Sequence, residues 1–200
     1  MSERGYDVPS APARGELKEK GSRFLAEVHP VGDEESARAR LATLGRSYSE
    51  ATHLCWAWRL GDPARERSSD AGEPAGTAGM PILQVLRGSE LSDLLLVVAR
   101  FFGGVKLGKG GLARAYSGAA REALEGVRRE RRFPKVRLRL QLDYQAQGAV
   151  KRLIQPPEVE LVVERYGEEV ELELLVARYR LTAFQDALAA LGVTVVKVSD

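Results

Sequence analysis

The sequence predicts an α+β protein built from two domains. Three observations carry this. Strand-length apolar runs, some alternating and some continuous, are interleaved with stretches of helical spacing. The pattern changes after Phe133-Pro134, at the end of a basic run. With 200 residues, 44% of them hydrophobic, the chain is long enough to bury a core in each half. The predicted domains are residues 18–133 and 134–200.

Residues 1–17 hold no apolar signal core and read as a flexible tail. Residues 22–31 form the first predicted strand. Residues 34–46 have helical spacing, with Ala37, Leu41 and Leu44 inward. Residues 52–60 alternate: His53, Cys55, Ala57 and Arg59 share one face, and Leu54, Trp56, Trp58 and Leu60 the other. Residues 61–79 read as a long polar loop, of a length that is usually functional or mobile. A short helix follows over 81–87. The almost continuous apolar run of 94–102 is a strand buried on both faces. Residues 112–127 make a helix that leaves a glycine-rich loop.

In the second domain, 136–144 alternates as a strand, and 146–154 is a helix stopped by Pro156 and Pro157. Strands over 159–165 and 169–177 are joined at Tyr166-Gly167, a hairpin signal. Residues 182–191 form a helix with Thr182 as N-cap and Gly192 at its C′ position. Residues 193–198 close the chain as a strand. The order β-α-β-β-α-β is the ferredoxin-like arrangement.

The formal charge of +2 excludes a polycation that coats nucleic acid over its whole surface. The charge is uneven: residues 1–133 carry 21 Lys and Arg against 18 Asp and Glu, and residues 134–200 carry 9 against 10. The one cysteine rules out an intrachain disulfide framework and a CxxC metal knuckle. The apolar run 94–99 is too short to span a bilayer. These features predict a cytoplasmic protein without membrane contact. Asparagine is absent and cysteine and methionine are scarce, a pattern that fits a thermophile; a GC-rich genome would equally raise the arginine content.

The most informative stretch is residues 91–116, LSDLLLVVARFFGGVKLGKGGLARAY. Five glycines fall within nine residues, Gly103, Gly104, Gly108, Gly110 and Gly111, among the basic residues Arg100, Lys106, Lys109 and Arg114. No acidic residue appears between Asp93 and Glu122. Glycines let backbone N–H groups approach another molecule, and unopposed cations around them favour an anion, phosphate above all. GGVKLGK from Gly103 matches seven places of a phosphate-binding P-loop, but Gly110 replaces the hydroxyl that would hold magnesium. GKGGLA from Gly108 fits a dinucleotide fingerprint that lacks its downstream acid. An anion-binding helix N-terminus competes with glycines needed only for tight packing.

The other constellations each have a bland reading too. His53 and Cys55 share a strand face, as a nucleophile pair or as packing. His53, Asp70 and Glu73 have no ligand spacing, so no metal is assigned. Trp56 and Trp58 either stack bases or fill the core. In the loop DAGEPAGTAGMP, Thr77 is expected to cap the helix at Pro81. Glu73 is expected to pair with a basic residue of the glycine loop and tie the two loops together, with Asp70 beside it. Arg128, Arg129, Arg131 and Arg132 either extend a basic surface or form a solvated linker.

GEPAGTAGMPIL (72–83) and VVARFFGGVKLGKGGLARAY (97–116) resemble the YigZ/IMPACT family, and GSRFLAEV (21–28) and ATHLCWAW (51–58) match its earlier blocks. The second domain is similar to the small extra domain of the family's bacterial branch. The resemblance implies that the first domain shares the fold of a small-subunit ribosomal-protein domain and of domain IV of the translocation elongation factor. It also implies a role in translation control. The chain departs from the family at Ala71, where a second Asp is usual, at Leu54 (Asn) and at Phe101 (Tyr). Losing the carboxylate at Ala71 weakens metal or acid–base chemistry there. The short stretch before Lys18 is not expected to hold a counterpart of the eukaryotic members' additional RWD domain.

The expected function is binding of RNA or the ribosome, with Arg100, Lys106, Lys109 and Arg114 on phosphate and Arg128, Arg129, Arg131 and Arg132 extending the surface. The alternatives are a regulator that docks on a protein without touching nucleic acid and a small-molecule or phosphate-dependent enzyme. No catalytic residue and no cofactor are assigned.

Overall fold

The computed structural model describes residues 5–199. It has the expected α+β class, in two compact units, Tyr6–Arg132 and a second from Phe133 onward.

The first unit is built on a five-stranded antiparallel sheet in the order β2-β3-β6-β4-β5. Its strands are β2 (Ala13–Glu19), β3 (Ser22–Pro30), β4 (His53–Leu60), β5 (Arg65–Ser69) and β6 (Leu94–Phe101). Helix α1 (Glu34–Ser47) covers one face, where Ala37 and Leu44 meet Trp58, Leu60, Leu95 and Val97. Asp33 starts this helix by accepting a hydrogen bond from the Ser36 backbone N–H at 2.7 Å. Helices α2 (Gly79–Ser89) and α3 (Gly108–Glu125) cover the other face, against Phe24, Ala26, Val28, Cys55, Ala57, Leu96 and Val98. Both faces of β6 are therefore dry, which is why its sequence is apolar without alternation. Trp58 lies in the core and Trp56 packs against it, so neither presents a free stacking platform.

Several expectations need correction. The tail does not hold: residues 1–4 lie outside the described part, but β1 (Tyr6–Pro9) and β2 are strands, with Val8 and Ala13 buried. β1 pairs antiparallel with β7 (Arg129–Arg132), so the basic linker is also a strand. The long loop contains β5, which pairs with β4. Helix α3 begins at Gly108 rather than Leu112, taking three of the glycines into its first turn. β5 and β7 were hidden because their sequences are polar: RERSS and RERR look like solvated chain until a partner strand arrives.

The second unit runs β8 (Lys135–Leu142), α4 (Tyr144–Leu153), β9 (Val159–Tyr166), β10 (Val170–Ala177), α5 (Leu181–Ala190) and β11 (Thr194–Ser199). The sheet order is β11-β8-β10-β9, all antiparallel. Val136, Leu138, Leu140 and Leu142 alternate inward toward Val150 of α4 and Phe184 and Leu188 of α5. Arg137 and Arg139 point outward, both bonded to Glu173. Thr182 does not cap α5. It lies inside the helix, because a 3₁₀ turn at Arg178–Arg180 starts the helical path earlier. Gly192 follows with φ 72°, the left-handed end expected of it. Among the described residues no helix is long and apolar enough to cross a membrane.

Candidate functional site

The glycine loop leaves β6 at Phe101 and is pinned at its start. The Phe102 N–H donates to Thr52 Oγ1 and the Gly103 N–H to Ser22 Oγ, each at 3.2 Å. Gly103 is obligatory for space: a Cβ there would fall 1.9 Å from the backbone of Gly21. Gly104 and Gly108 have open space but φ values of 89° and 68°, the left-handed region that favours glycine. The loop then enters α3. Its N-cap, Leu107, supplies no side-chain acceptor, so the free N–H groups of the first turn are not capped by it.

Lys106, Lys109 and Arg114 surround this turn and are exposed. Among the described residues none has an acidic partner within ion-pair distance. Positive side chains beside an uncapped helix N-terminus are uncompensated charge, which an anion would neutralise.

Arg100 does not belong to this group. It is 6% exposed, its Nη1 lies 2.7 Å from Glu73 Oε1, and its guanidinium sits 5.6 Å from the Phe24 ring centre and 5.5 Å from that of Phe102. The phosphate contact expected of Arg100 is therefore withdrawn. Three of the four arginines of the linker are also less available than expected. Arg131 and Arg132 hold Asp7 and Asp93 at 2.8 Å, and Arg129 lies 3.7 Å from Asp7. Arg128 accepts from Ser10 through its backbone carbonyl, and the residue is exposed. The ion pairs are half-exposed; those to Asp7 fix β7 to β1, that to Asp93 fixes β7 to the segment before β6, and together they reduce the free positive charge.

Beneath the glycine loop lies a buried polar cluster. Glu73 Oε1 accepts from Arg100 and from the Tyr116 hydroxyl at 2.8 Å, and its Oε2 is 3.9 Å from His53 Nε2. The expected pairing of Glu73 with a basic residue of the glycine loop is not found: its basic partner, Arg100, is on β6, so Glu73 ties its own loop to that strand. Tyr116 and Phe24, which meet edge to face at 5.1 Å, were missed; their only sequence signal is helical or strand spacing into the core. Cys55 Sγ donates to the Asp70 carbonyl and His53 Nδ1 to the Ala71 carbonyl, so both side chains buttress the loop. Burial pushes the Cys55 thiol up to about 12, opposite to what a thiolate nucleophile needs.

Thr77 does not cap α2; its hydroxyl donates to the Pro74 carbonyl. The cap is Asp70, whose carboxylate accepts from the N–H groups of Gly76, Ala78 and Gly79 at 2.8–2.9 Å. Partial burial would raise its pKa, but the bonds from Gly76, Gly79 and Ala78 outweigh this and hold it below the usual value. A depressed carboxylate contributes stability that is full above its unfolded value near pH 4 and is lost as the pH falls through the folded one. Asp70→Ala is expected to cost about 2 kcal/mol at pH 7 and to show a shallower loss below pH 4 than the wild type. Urea midpoints at pH 7 and pH 3 measure both; an equal acid loss in the two proteins would remove Asp70 as the source.

No His, Cys, Asp and Glu side chains assemble in threes as metal ligands among the described residues. The oxygens of Asp70 and Glu73 are occupied as above.

Comparison with known proteins places this geometry in a family. Residues 20–124 match the Impact N-terminal domain, the segment that carries the glycine loop and the Glu73 cluster. The IMPACT family member YigZ of Escherichia coli is 32% identical over 185 residues, covering 91% of each chain. An IMPACT family member of Haemophilus influenzae is 34% identical over 186 residues, covering 92% of this chain and 90% of the relative. A crystal structure described as that of a hypothetical protein superimposes with a TM-score of 0.72 at 30% identity over 96% of both chains. On this combination of sequence, extent and fold, the chain belongs to the IMPACT family.

Proposed function

We propose that the protein modulates translation by binding RNA, on or off the ribosome, through the turn that joins the glycine loop to α3. The observation that carries this reading is the exposed set Lys106, Lys109 and Arg114, without acidic partners among the described residues, around an uncapped helix start. Phosphate fits it better than carboxylate alone, because free N–H groups and several cationic side chains are available at one helix start. The family's tie to translation control, implied by its motifs, supplies the context and makes RNA the favoured polyphosphate.

Binding is read here as the function, and catalysis is not. The buried thiol of Cys55 is protonated at neutral pH, and Cys55, His53 and Tyr116 all spend their polar atoms holding the loops.

Electrostatic contacts to phosphate weaken steeply with salt. Co-sedimentation with ribosomes and their subunits across a salt series tests the reading. Wild type is expected to pellet at low salt and to be released as salt rises. Lys106→Glu/Lys109→Glu is expected to lower affinity on the order of 100-fold with an unchanged melting temperature, since both side chains are exposed. Wild-type affinity in the variant would remove the site. Absence of binding by the wild type at low salt would favour a protein partner.

A further inference from the structure

Helices α2 and α3 lie side by side on the sheet, and their seam stays open at the surface. One recess of about 320 Å³ is lined by Pro81, Gln84, Ala113, Arg114, Ser117 and Arg121. A second, of about 540 Å³, shares Gln84, Ser117 and Arg121 with it and runs on to Glu125 and Arg129. The shared residues make the two recesses one groove. Its upper end meets the glycine loop: a Cβ on Gly110 would lie 3.5 Å from Arg114 Nη1, so the Arg114 side chain reaches back along the first turn of α3.

We propose that this groove is a track for the sugar–phosphate backbone of double-stranded RNA, continuing the site at the glycine loop. The proposal rests on the RNA reading above and adds the path and the class of RNA. Arg114, Ser117 and Arg121 fall at i, i+3 and i+7 on α3, one face of the helix, and span about 10 Å of its axis. Arg114 and Arg121 are exposed and have no acidic partner among the described residues. Arg129, at the far end, is half-exposed and 3.7 Å from Asp7. The one acid in the lining is Glu125, also at that end. Ser117 of α3 and Gln84 of α2 both line the groove, with a hydroxyl and an amide, groups that suit phosphate and ribose oxygens.

The lining chemistry selects the class of RNA. Proteins that hold single strands combine positive charge with aromatic side chains on which bases stack. This groove has arginines and hydroxyls but no aromatic residue in its lining. Duplex RNA keeps its bases stacked on one another and is held through phosphates and 2′-hydroxyls. The groove offers what a duplex needs and omits what a single strand needs.

Fluorescence anisotropy of the full chain with a labelled RNA hairpin of roughly 16 base pairs, and with an unstructured oligouridylate of equal charge, tests the proposal. The hairpin is expected to bind at least tenfold more tightly. Arg121→Glu is expected to weaken hairpin binding about tenfold and to reduce the slope of log affinity against log salt by about 1, with the melting temperature kept. Gln84→Glu, on the opposite wall, is expected to weaken it as well. Hairpin binding at wild-type strength in both variants, while Lys106→Glu/Lys109→Glu loses it, would overturn the groove and leave the glycine-loop site standing. Preference for the oligouridylate would overturn the choice of duplex. Weaker binding of Arg121→Glu at an unchanged salt slope would also overturn it, since no phosphate contact would have been lost. Failure of the wild type to bind either RNA at low salt would overturn this proposal together with the reading beneath it.

Discussion

Replacing Glu73 with alanine is expected to lower the stability of the first unit by about 3–5 kcal/mol, the cost of leaving a buried charge without its counterion. Glu73 and Arg100 are 8% and 6% exposed, and the Arg100 Nε has no hydrogen-bond partner of its own. The alanine variant would leave the guanidinium between two phenyl rings with no anion, and the Tyr116 hydroxyl without its acceptor. The pair should therefore be strongly coupled. Arg100→Met alone strands the carboxylate, and Glu73→Ala/Arg100→Met should lose clearly less than the sum of the two single changes. Urea denaturation of the four proteins measures this directly. Additive losses would mean that the two groups do not share their energy, and the account of the cluster would fail. The proposed ribosome binding should fall in both single variants only as far as folding does, because neither side chain belongs to the exposed cationic set.

Gly103→Ala is expected to be the second costly change, at about 3 kcal/mol, the upper part of the range for forcing atoms into a filled space. The added carbon would have to displace the Gly21 backbone at the β2–β3 turn, which has nowhere to go without disturbing strand pairing. Gly104→Ala is the control. Space is open there and only the φ of 89° opposes a side chain, so about 1–2 kcal/mol is expected. The order matters more than the sizes. If Gly104→Ala costs as much as Gly103→Ala in thermal unfolding, close approach is not what fixes Gly103. The Gly103 change should also weaken the proposed RNA binding beyond its effect on folding, since Lys106 and Lys109 ride on the segment that would shift.

Much of the fold was legible because the strongest periodicities belong to the elements with two covered faces or one clean apolar stripe. The run at β6, the alternation at β4 and β8 and the stripes of α1 and α3 each declare themselves locally. The failures share one cause. β1, β5 and β7 are short, β5 and β7 are polar as well, and each is a strand only because another strand lies beside it; β1 and β7 are more than a hundred residues apart. Such pairing leaves no trace in a window of ten residues. The site divides in the same way. The exposed cations and the glycines could be read directly, since charge without nearby acid is a property of the local sequence. Arg100 could not: its burial depends on Glu73, Phe24 and Tyr116, which come from three other segments. Asp70 as a helix cap was missed because it stands eight residues before the N-cap position, beyond the spacing at which a capping residue is sought.

The pairing of β1 with β7 has a consequence for how the first unit can be handled. Tyr6 lies opposite Arg132, so the polypeptide enters and leaves this unit at neighbouring points, separated by one strand spacing. A domain whose two ends meet in this way is a cassette. It can be spliced into a surface turn of an unrelated host without stretching either junction, and a short bridge can close its ends while new termini are opened elsewhere. The glycine loop and its cations lie in the body of the cassette, away from both junctions in sequence, and travel with it intact.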